Sequence, residues 1–441
     1  MKISRRLKII GKRVKIWANL SLAKVAPLTR MVPEKPRRVV RDWLIALTTP
    51  KAERPYRAPV QDGKIRNRPG INLYGFLRAE NGLAQGAKLY AKALEESGIP
   101  YTLVNTDFLE WLSQRDHSLD AKISRKGKYA VNLVHINPDQ WEAACREYPH
   151  RMFDNHYNIG VWLWELEYLP KEWLEKFDYV DELWVPSQFI ADAAQRETEK
   201  PVTVIRYGIE TPVEKLGRKD FGLPEDAFLV LAMYDSNSYA TRKNPEAAIQ
   251  AFEKAFAGKN ENAVLVLKLA NGKEEELRKL RERLDASGIR YYFVTERFSK
   301  PKLNALIACC DVFLSLHRSE GFGLVVAEAM SLGVPVVATA WSSNAEFMPE
   351  ECTCRVGYTL IPVGENYQWA DDRQRWANPD TDEAARDLRL LFENPEKARE
   401  MAEKSKAYIQ TEMSPEVCGR QMRERYEEII AALRNTGRMS E

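Results

Sequence analysis

Short apolar runs alternate with amphipathic segments along most of this chain, and that alternation constrains the fold more than any other feature. The runs at 227–235 (AFLVLAMYD) and 262–270 (NAVLVLKLA) are almost continuously apolar, which is typical of strands covered on both faces. Segments between such runs, for example 244–258 (NPEAAIQAFEKAFAG), have the apolar spacing of helices. Strands that alternate with helices form βαβ units and parallel sheets, so the sequence predicts an α/β fold.

The alternation runs twice, with a charged, proline-bearing connection at 212–224 between the two series. A chain of 441 residues is also too long for one ordinary core. We therefore predict two doubly wound, Rossmann-like domains at 66–212 and 213–414, preceded by a basic extension at 1–65. A cleft between two such domains faces the carboxyl ends of both sheets, where open α/β sheets bind their ligands.

The predicted extension is crowded with Lys and Arg, and its first 60 residues hold only Glu34, Asp42 and Glu53 as acids. Because apolar residues are interleaved with the basic ones, residues 1–60 could form an amphipathic helix on an anionic membrane surface. A loosely ordered arm that packs on its own domain is the alternative. Since the excess of positive charge is confined to this extension, nucleic acid is not expected as a partner.

Three further features bear on the cellular compartment. The sequence has no window of 18 uninterrupted apolar residues, so a transmembrane helix is not expected. Lysine and arginine interrupt the apolar part of the first 25 residues, and no good signal-peptide cleavage site follows. The six cysteines fit no disulfide framework and are expected to be reduced. We predict a cytoplasmic protein, which would be peripheral on the inner face of the cell membrane if the extension binds lipid.

Two glutamates frame a Gly-Phe-Gly step in the stretch 315–339 (SLHRSEGFGLVVAEAMSLGVPVVAT). Glu320 follows a predicted strand, and the glycines would let a ligand approach the backbone closely. A helix that starts near Leu324 offers free N–H groups to an anion, and Glu328 lies about one turn further on. Carboxylates accept hydrogen bonds from sugar hydroxyls, so the pattern fits a sugar nucleotide. Alternatively, Glu320 caps the helix and Glu328 is an ordinary surface residue.

The segment 319–339 (SEGFGLVVAEAMSLGVPVVAT) resembles the E-x7-E signature of family 4 glycosyltransferases, which are retaining enzymes with the GT-B fold. Other segments resemble a bacterial branch of that family: GFLRAENGLAQGAKLYAKALEESGIPYTLVN, YNIGVWLWELEYLP, DELWVPSQFI, VIRYGIE and TRKNPEAAIQAF, which carries an RKNP motif. The likeness extends from about Ile71 to the C-terminus. It implies two Rossmann-like domains that face each other across a cleft, with a last helix at about 415–441 that crosses back onto the first domain.

The resemblance implies a donor site in the second domain. Glu320 would contact the hydroxyls of the donor sugar, Glu328 the ribose of the nucleotide, and Lys243 of TRKNP the diphosphate. The family's second cation is an arginine several residues earlier, where this chain has YDSNSYA. Three residues could replace that arginine: Arg242, Lys268 and Arg318. The loop backbone would meet the sugar and the phosphates at four positions: Gly321, Phe322, Gly323 and Leu324.

The first domain is expected to bind the acceptor. Its segment RAENGLAQG resembles a glycine-bearing loop of the family, which implies that Asn81, Gly82 and Gln85 face the cleft. A tight turn with no binding role is the alternative for Gly82. His135 ends a predicted strand on the side where ligands bind, although a lone histidine is more often packed in a core.

A second group of acceptor candidates lies along the predicted strand VWLWELE. Trp162 and Trp164 would share one face and could stack on sugar rings, but two tryptophans in a strand more often belong to a core. Glu165 stands at the strand end and is the better acceptor-side candidate. Weaker candidates come from the later loop TAWSSNAEFM: Ser343, Asn344 and Glu346.

The resemblance implies transfer of a hexosyl group from a nucleotide-diphosphate sugar to a hydroxyl acceptor, with retention of anomeric configuration. Lys243 and Glu320 are the expected catalytic residues, because Lys243 would stabilise the departing phosphate and Glu320 would position the sugar. No metal and no cofactor are expected. The acceptor would be a glycan or a lipid-linked molecule in the assembly of a bacterial polysaccharide or other glycan.

Two alternatives stay open at the level of the sequence. A nucleotide-sugar epimerase or another GT-B enzyme shares the predicted architecture. A nucleotide-binding oxidoreductase is disfavoured, because the G-x-G-x-x-G motif expected after the first strand is missing. If the glycosyltransferase interpretation holds, Glu320→Ala and Lys243→Ala are each expected to abolish turnover and to leave the melting midpoint nearly unchanged.

Overall fold

The computed structural model describes residues 57–65, 67–109, 112–148, 152–236, 239–259, 261–364 and 367–439. Residues 57–441 form one compact unit. Most of the predicted basic extension, and with it the predicted membrane contact, lies outside the described residues. Among the residues that are described, no helix is both long and apolar enough to cross a membrane.

The first half of the described chain builds one parallel sheet. Its strands are β1 (Arg68–Gly75), β2 (Tyr101–Asn105), β3 (Tyr129–His135), β4 (Tyr157–Val161), β5 (Glu182–Val185) and β6 (Val202–Val204). They lie in the order β2-β1-β3-β4-β5-β6. The strands β1 and β3 pair in register at Leu73 and Leu133 and, one residue on, at Tyr74 and Val134. The two pairs point to opposite faces and all four side chains are buried, so the sheet is covered on both faces there.

Helices follow the strands of this sheet. Their bounds are α1 (Gly82–Ser97), α2 (Trp141–Glu147), α3 (Lys171–Leu174) and α4 (Gln188–Gln195). The helix α1 ends before Gly98, which has a φ of 71°, a conformation that glycine adopts without strain. The helix α4 begins at the predicted cap Ser187, whose hydroxyl accepts the N–H of Ile190.

The second half builds a second parallel sheet and a hairpin. The sheet contains β7 (Phe228–Asp235), β8 (Ala263–Ala270), β9 (Tyr291–Val294), β10 (Val312–Ser315), β11 (Val336–Thr339) and β12 (Cys354–Val356). Its order is β12-β11-β10-β7-β8-β9. The antiparallel hairpin pairs β13 (Tyr358–Pro362) with β14 (Arg375–Pro379). The apolar runs of β7 and β8 therefore lie side by side inside the sheet, as their composition predicts.

The helices of the second half are α5 (Ala240–Lys243), α6 (Pro245–Phe256), α7 (Glu274–Ser287), α8 (Lys300–Ala308), α9 (Leu324–Ser331), α10 (Thr381–Glu393), α11 (Pro395–Glu412) and α12 (Pro415–Asn435). Strands and helices alternate in both halves, and each half has its own parallel sheet. The predicted α/β class with two Rossmann-like units is thus confirmed, whereas the exact domain limits stay a prediction.

The helix α12 packs on the first half although it follows the second half in the sequence. Gly419 lies so close to α1 that a Cβ at this position would come within 2.6 Å of the Ala93 carbonyl oxygen. Arg425 pairs at 2.7 Å with the fully buried carboxylate of Glu182 in β5. Apolar residues of α12 such as Met422 belong to the same buried core as β1.

Removal of the Arg425 guanidinium tests this packing. Arg425→Ala would leave the Glu182 carboxylate buried without its cation, so the free energy of unfolding is expected to fall by about 3 kcal/mol. Urea unfolding would measure this loss. The control is Arg420→Ala, which removes an exposed arginine of the same helix and is expected to change stability by less than about 0.5 kcal/mol. Equal losses in the two variants would contradict the assigned role.

Candidate active site

A cleft of about 1750 Å³ lies between the two sheets, at the carboxyl ends of their strands. In the first half, the loops that follow β1 and β4 line it, at Asn81 and Glu165 among others. In the second half, the segments after β7, β8 and β10 line it, at Lys243, Asn271 and Glu320 among others. Open parallel sheets bind ligands at this edge, so the predicted position of the site is where the cleft lies.

Three charged residues meet on the second-half side of the cleft: Arg242, Lys243 and Glu320, here called the charge cluster. The Lys243 Nζ atom lies 2.5 Å from Glu320 Oε1, and a guanidinium nitrogen of Arg242 lies 3.3 Å from Glu320 Oε2. Arg242 also donates to the carbonyl of Ser319 at 2.7 Å. The three side chains are 6, 21 and 12% exposed, in the order named, so water screens their charges only weakly.

The backbone around α5 explains why both cations reach Glu320. The residue after α5, Asn244, has a φ of 53°, a left-handed conformation that asparagine adopts more readily than most residues. Its side-chain amide donates to the Leu316 carbonyl at 3.0 Å, which fixes the end of α5 to the segment after β10. Pro245 then starts α6, where its missing N–H is of no consequence.

The charge cluster shifts the pKa of its own members. Burial opposes ionisation of Glu320, but the positive charges of Lys243 and Arg242 outweigh burial and lower the pKa of Glu320 to about 2. Burial lowers the pKa of Lys243, while the charge of Glu320 opposes that shift. An anionic ligand beside Lys243 would raise its pKa and favour its charged form. The cluster therefore combines a permanently ionised carboxylate with cations that gain from a further negative charge.

One of the two glycines after Glu320 has a structural reason that the sequence did not reveal. Gly323 has a φ of 92°, and a Cβ there would come within 2.7 Å of the Asn344 Cβ, so close packing against protein requires glycine at this position. A Cβ at Gly321 would make only an ordinary contact of 3.4 Å with the Trp164 carbonyl of the first half. The backbone of both glycines also lines the cleft. The idea that Glu320 caps α9 is wrong, because its oxygens are taken by the charge cluster.

Phe322 and Leu324 contribute to the site through their backbone. The Phe322 ring is buried between the rings of Tyr207 and Phe347, at centroid distances of 4.9 and 5.1 Å. Leu324 begins α9, and it lines the cleft together with Phe322. The ring of Phe322 therefore fixes the loop in place, while a ligand contact at Phe322 stays a prediction.

Glu328 is not an ordinary surface residue. It is 1% exposed and its carboxylate lies 2.5 Å from the Nζ atom of Lys300, the first residue of α8. Both residues line the cleft. The surface alternative is therefore wrong, while a contact with ribose stays a prediction.

The structure separates the three candidates for the second cation. Arg242 lies in the charge cluster beside Lys243. Lys268 lines the cleft one strand further along the sheet, where its ammonium donates to the Glu296 carbonyl at 2.9 Å and burial lowers its pKa. Arg318 donates to Asn378 at 3.0 Å on β14. The geometry favours Arg242.

Of the acceptor candidates on α1, three line the cleft: Asn81, Gly82 and Gln85. The Asn81 side chain caps α1 by accepting the N–H of Ala84 at 2.9 Å. A Cβ at Gly82 would meet no described atom within 4 Å, and its φ is not in the left-handed region. A tight turn therefore does not explain Gly82, which leaves room for a ligand beside the backbone.

The structure corrects the prediction that His135 binds the acceptor. Its ring is fully buried, and its Nε2 atom hydrogen-bonds the Tyr207 hydroxyl at 2.9 Å. Burial lowers the pKa of His135 to about 3, so the imidazole is neutral. Gly86 covers it, since a Cβ there would come within 3.1 Å of the ring. The packed-core alternative describes this residue, and a role for His135 in acceptor binding is not supported.

The predicted strand around Glu165 is shorter than expected, because β4 ends at Val161. Trp162 and Trp164 are 1 and 3% exposed, so their interpretation as core residues is confirmed. Glu165 lies 3.5 Å from a guanidinium nitrogen of Arg242 and thus joins the charge cluster from the first half. Its contact with an acceptor stays a prediction.

Two of the weaker candidates in the loop after β11, Glu346 and Ser343, bond the second half to the first. Glu346 accepts the N–H groups of Gln188 and Phe189, at 2.9 and 2.7 Å, at the start of α4. Ser343 shares a hydrogen bond of 2.8 Å with Ser187. The Asn344 amide donates to the Thr339 carbonyl. These side chains are engaged with protein, so the structure gives no support for their binding the donor.

Sequence reasoning missed several residues that line the cleft, because contacts between segments far apart in the chain bring them there. They include Lys300 beside Glu328 and a group of aromatic residues: Tyr239, Tyr367 and Trp369. It also missed Ser342, whose hydroxyl accepts the Glu320 N–H at 2.8 Å. The lysine-rich start of α8 was a signal for an anion nearby, but the aromatic residues carried no recognisable pattern.

Comparison with known proteins finds a family match over the donor side of the cleft. Residues 217–353, which include the charge cluster and Glu328, match the family model described as Glycosyl transferases group 1. This segment, about a third of the chain, is thus similar to glycosyl transferases group 1. The match begins in the connection between the halves and ends next to β12.

The curated proteins that this chain resembles are distant from it. The O-antigen biosynthesis glycosyltransferase WclY of Escherichia coli is 30% identical over 142 residues, which are 31% of this chain and 35% of WclY. The chain thus spans about a third of the length of the curated relatives that it matches.

Solved structures with the same fold cover more of the chain. A glycosyltransferase from Rickettsia africae ESF-5 has 13% identity and a TM-score of 0.60, over 82% of this chain and 99% of that one. Anabaena HepE in complex with UDP-glucose has 15% identity and a TM-score of 0.55, over 83 and 100%. At these identities the likeness establishes the fold, and the predicted GT-B architecture is confirmed.

Substitution in the charge cluster is expected to affect stability, contrary to the expectation from the sequence. Glu320→Ala would leave two buried cations with Glu165 as their remaining counter-charge, so unfolding should need about 3 kcal/mol less free energy. Chemical denaturation would measure this difference. Glu282→Ala, which breaks an exposed pair with Arg278 on α7, is the control and is expected to cost under about 0.5 kcal/mol. An unchanged Glu320→Ala variant would show that the cluster is not stabilising.

The same carboxylate makes stability depend on acid pH. The pKa of Glu320 is lowered from 4.5 to about 2 in the folded chain. Its contribution is therefore complete above pH 4.5 and disappears as the pH falls to 2, a loss of about 3 kcal/mol. The difference in unfolding free energy between the wild type and Glu320→Gln should shrink over this interval. A difference that stays constant from pH 5 to pH 2 would contradict the shifted pKa.

Proposed function

We propose that this chain transfers a hexosyl group from a nucleotide-diphosphate sugar to a hydroxyl of an acceptor, with retention of configuration. The observation that carries the proposal is the buried charge cluster on the cleft, next to the backbone of Gly321 to Leu324. Two cations and a run of backbone at the start of α9 are suited to a diphosphate. The match of this region to glycosyl transferases group 1 supports the same reaction class.

The donor would change the partners within the charge cluster. Without an anion, Glu320 and Glu165 balance the charges of Lys243 and Arg242. A diphosphate beside the two cations would take over part of that balance. The Glu320 oxygens would then be able to accept hydrogen bonds from the hydroxyls of the donor sugar. Binding of the donor would thus replace part of the ion pairing within the protein by ion pairs between the two cations and the diphosphate.

The cations have a second role during the reaction. As the bond between the sugar carbon and the diphosphate breaks, negative charge grows on the departing phosphate. Lys243 and Arg242 are positioned to stabilise that charge. The acceptor hydroxyl forms the new bond to the same carbon, and its proton passes to the departing phosphate on the same face of the sugar. Glu320 stays unmodified and positions the sugar.

The other proposed ligand contacts follow from the positions of the residues in the cleft. Glu328, held by Lys300, would accept the ribose hydroxyls. Asn81, Gly82 and Glu165 would face the acceptor across the cleft. WclY is named for O-antigen biosynthesis, and on that likeness we propose a glycan or lipid-linked acceptor in bacterial polysaccharide assembly. Contact of the basic extension with an anionic membrane stays a prediction.

Binding of nucleoside diphosphates tests the donor site. A thermal-shift screen of UDP, GDP, ADP and dTDP is expected to find at least one that raises the melting midpoint of the wild type. Titration calorimetry of Lys243→Ala with that nucleotide should show about 10- to 100-fold weaker binding, since a charge-assisted hydrogen bond is lost.

Lys404→Ala is the control, because Lys404 is an exposed residue of α11 that pairs only with Glu400 among the described residues. It is expected to bind the nucleotide as the wild type does. NMR of the product formed from the matching nucleotide sugar would report the anomeric configuration. Failure of every nucleoside diphosphate to bind, or wild-type affinity in Lys243→Ala, would overturn the proposal.

A further inference from the structure

Five aromatic residues line one end of the cleft and are here called the aromatic wall: Trp164, Trp173, Tyr239, Tyr367 and Trp369. The Tyr239 and Tyr367 ring centroids are 4.6 Å apart, and Trp173 and Trp369 are 5.9 Å apart. Trp164 joins the two pairs, because its ring centroid lies 6.0 Å from that of Tyr367 and 5.1 Å from that of Trp173. Since Trp164 and Trp173 come from the first half and the others from the second, the wall exists only where the halves meet.

Two members of the aromatic wall have a strained backbone conformation. Tyr239 has a φ of 49° and Trp369 a φ of 62°, which is the left-handed region that bulky residues rarely adopt. Tyr239 is nevertheless 37% exposed and Trp369 is half-buried, whereas Trp164, Trp173 and Tyr367 are buried behind them. The ring surfaces open to a ligand are therefore those of Tyr239 and Trp369. Strain at exposed aromatic residues is unusual for a group whose only role is packing, and it clusters at ligand sites.

The aromatic wall is continuous with the charge cluster. The Tyr239 carbonyl accepts the N–H groups of Arg242 and Lys243, at 3.0 and 3.2 Å, so Tyr239 begins the turn that carries both cations. Trp164 directly precedes Glu165, which pairs with Arg242. A molecule on the wall would therefore lie next to the proposed reacting centre.

The position of the wall argues against a nucleobase as its occupant. The proposed ribose contact, Glu328, pairs with Lys300 at the start of α8, which follows the edge strand β9. The wall instead contacts the loops of the first half after β4. With the ribose at Glu328 and the diphosphate at the charge cluster, which adjoins the wall through Tyr239, the wall would be left for a group other than the base.

From this arrangement we infer that the aromatic wall binds a sugar ring of the acceptor, so that the acceptor is a saccharide. This inference rests on the proposed function, because the occupant of the wall is the acceptor only if the charge cluster holds the donor. The C–H groups on one face of a hexose carry partial positive charge and pack on the negative faces of aromatic rings. Polar atoms beside the wall, such as the Gln368 side chain that accepts from the Tyr239 hydroxyl at 3.0 Å, suit the ring hydroxyls.

Binding of simple glycosides to the full chain tests this inference. The probes are the methyl α- and β-glycosides of glucose, galactose, mannose and N-acetylglucosamine, followed by saturation-transfer NMR and tryptophan fluorescence, with and without the nucleotide that binds best. At least one glycoside is expected to bind through the protons of one ring face. Octyl glucoside is included, and an octyl chain should change the affinity less than tenfold.

Variants of the wall test whether its rings contact the glycoside, independently of any effect on folding. Tyr239→Gly removes the ring and relieves the backbone strain, so its melting midpoint should equal or exceed that of the wild type while glycoside affinity falls at least tenfold. Trp369→Ala should lose a similar factor, and Trp369→Phe should recover most of it. The matched control is Tyr292→Ala, since Tyr292 is 38% exposed on β9, and it should bind as the wild type does.

Several outcomes would overturn the inference, and one would overturn the proposed donor site alone. If no methyl glycoside binds, or if Tyr239→Gly and Trp369→Ala bind it normally, the wall is not a sugar site. If these variants lose the nucleotide and keep the glycoside, the wall holds the base. If only the octyl chain gives binding, the wall holds a lipid. Glycoside binding without any nucleotide binding would instead refute the proposed donor site and leave the wall in place.

Discussion

Two positive charges with little access to water, side by side at the end of α5, set the condition that the rest of the site has to meet. Arg242 and Lys243 cannot stay charged in the protein without nearby counter-charges. Glu320 arrives from the loop after β10 and Glu165 from the first half, so neutralising the cations brings together three segments that are far apart in the sequence. The cleft has its shape partly because charge must balance there, and an anionic ligand can enter that balance.

The loops around the charge cluster are held by contacts between the halves. Glu346 accepts the first N–H groups of α4, and the Ser319 hydroxyl donates to the Glu165 carbonyl. Gly321 fits against the backbone of Trp164. The donor-side loop is thus built against the first half, and residues of that half that touch no donor can still decide where Glu320 points. A rigid frame of this kind keeps catalytic groups in a fixed geometry.

The sequence predicted the fold and the centre of the site, because both depend on local patterns. Continuous apolar runs identify β7 and β8, and charged or glycine residues directly after strands must lie at the carboxyl edge of a parallel sheet. The rest depends on contacts between distant segments. The burial of Glu328 follows from its pairing with Lys300, Gly323 is required by Asn344, and His135 is covered by Gly86. The aromatic wall joins residues of both halves, so no single stretch of sequence could reveal it.

The position of α12 has a consequence for the way the protein is made. A ribosome delivers residues 415–435 only after the whole second half, yet Cys418, Met422 and Ile429 belong to the core that surrounds β1. A nascent chain that has formed β1 to β6 therefore carries an open apolar face throughout translation of the second half. Such a face is a target for aggregation, so cells that produce this protein have reason to shield it with a chaperone until α12 emerges.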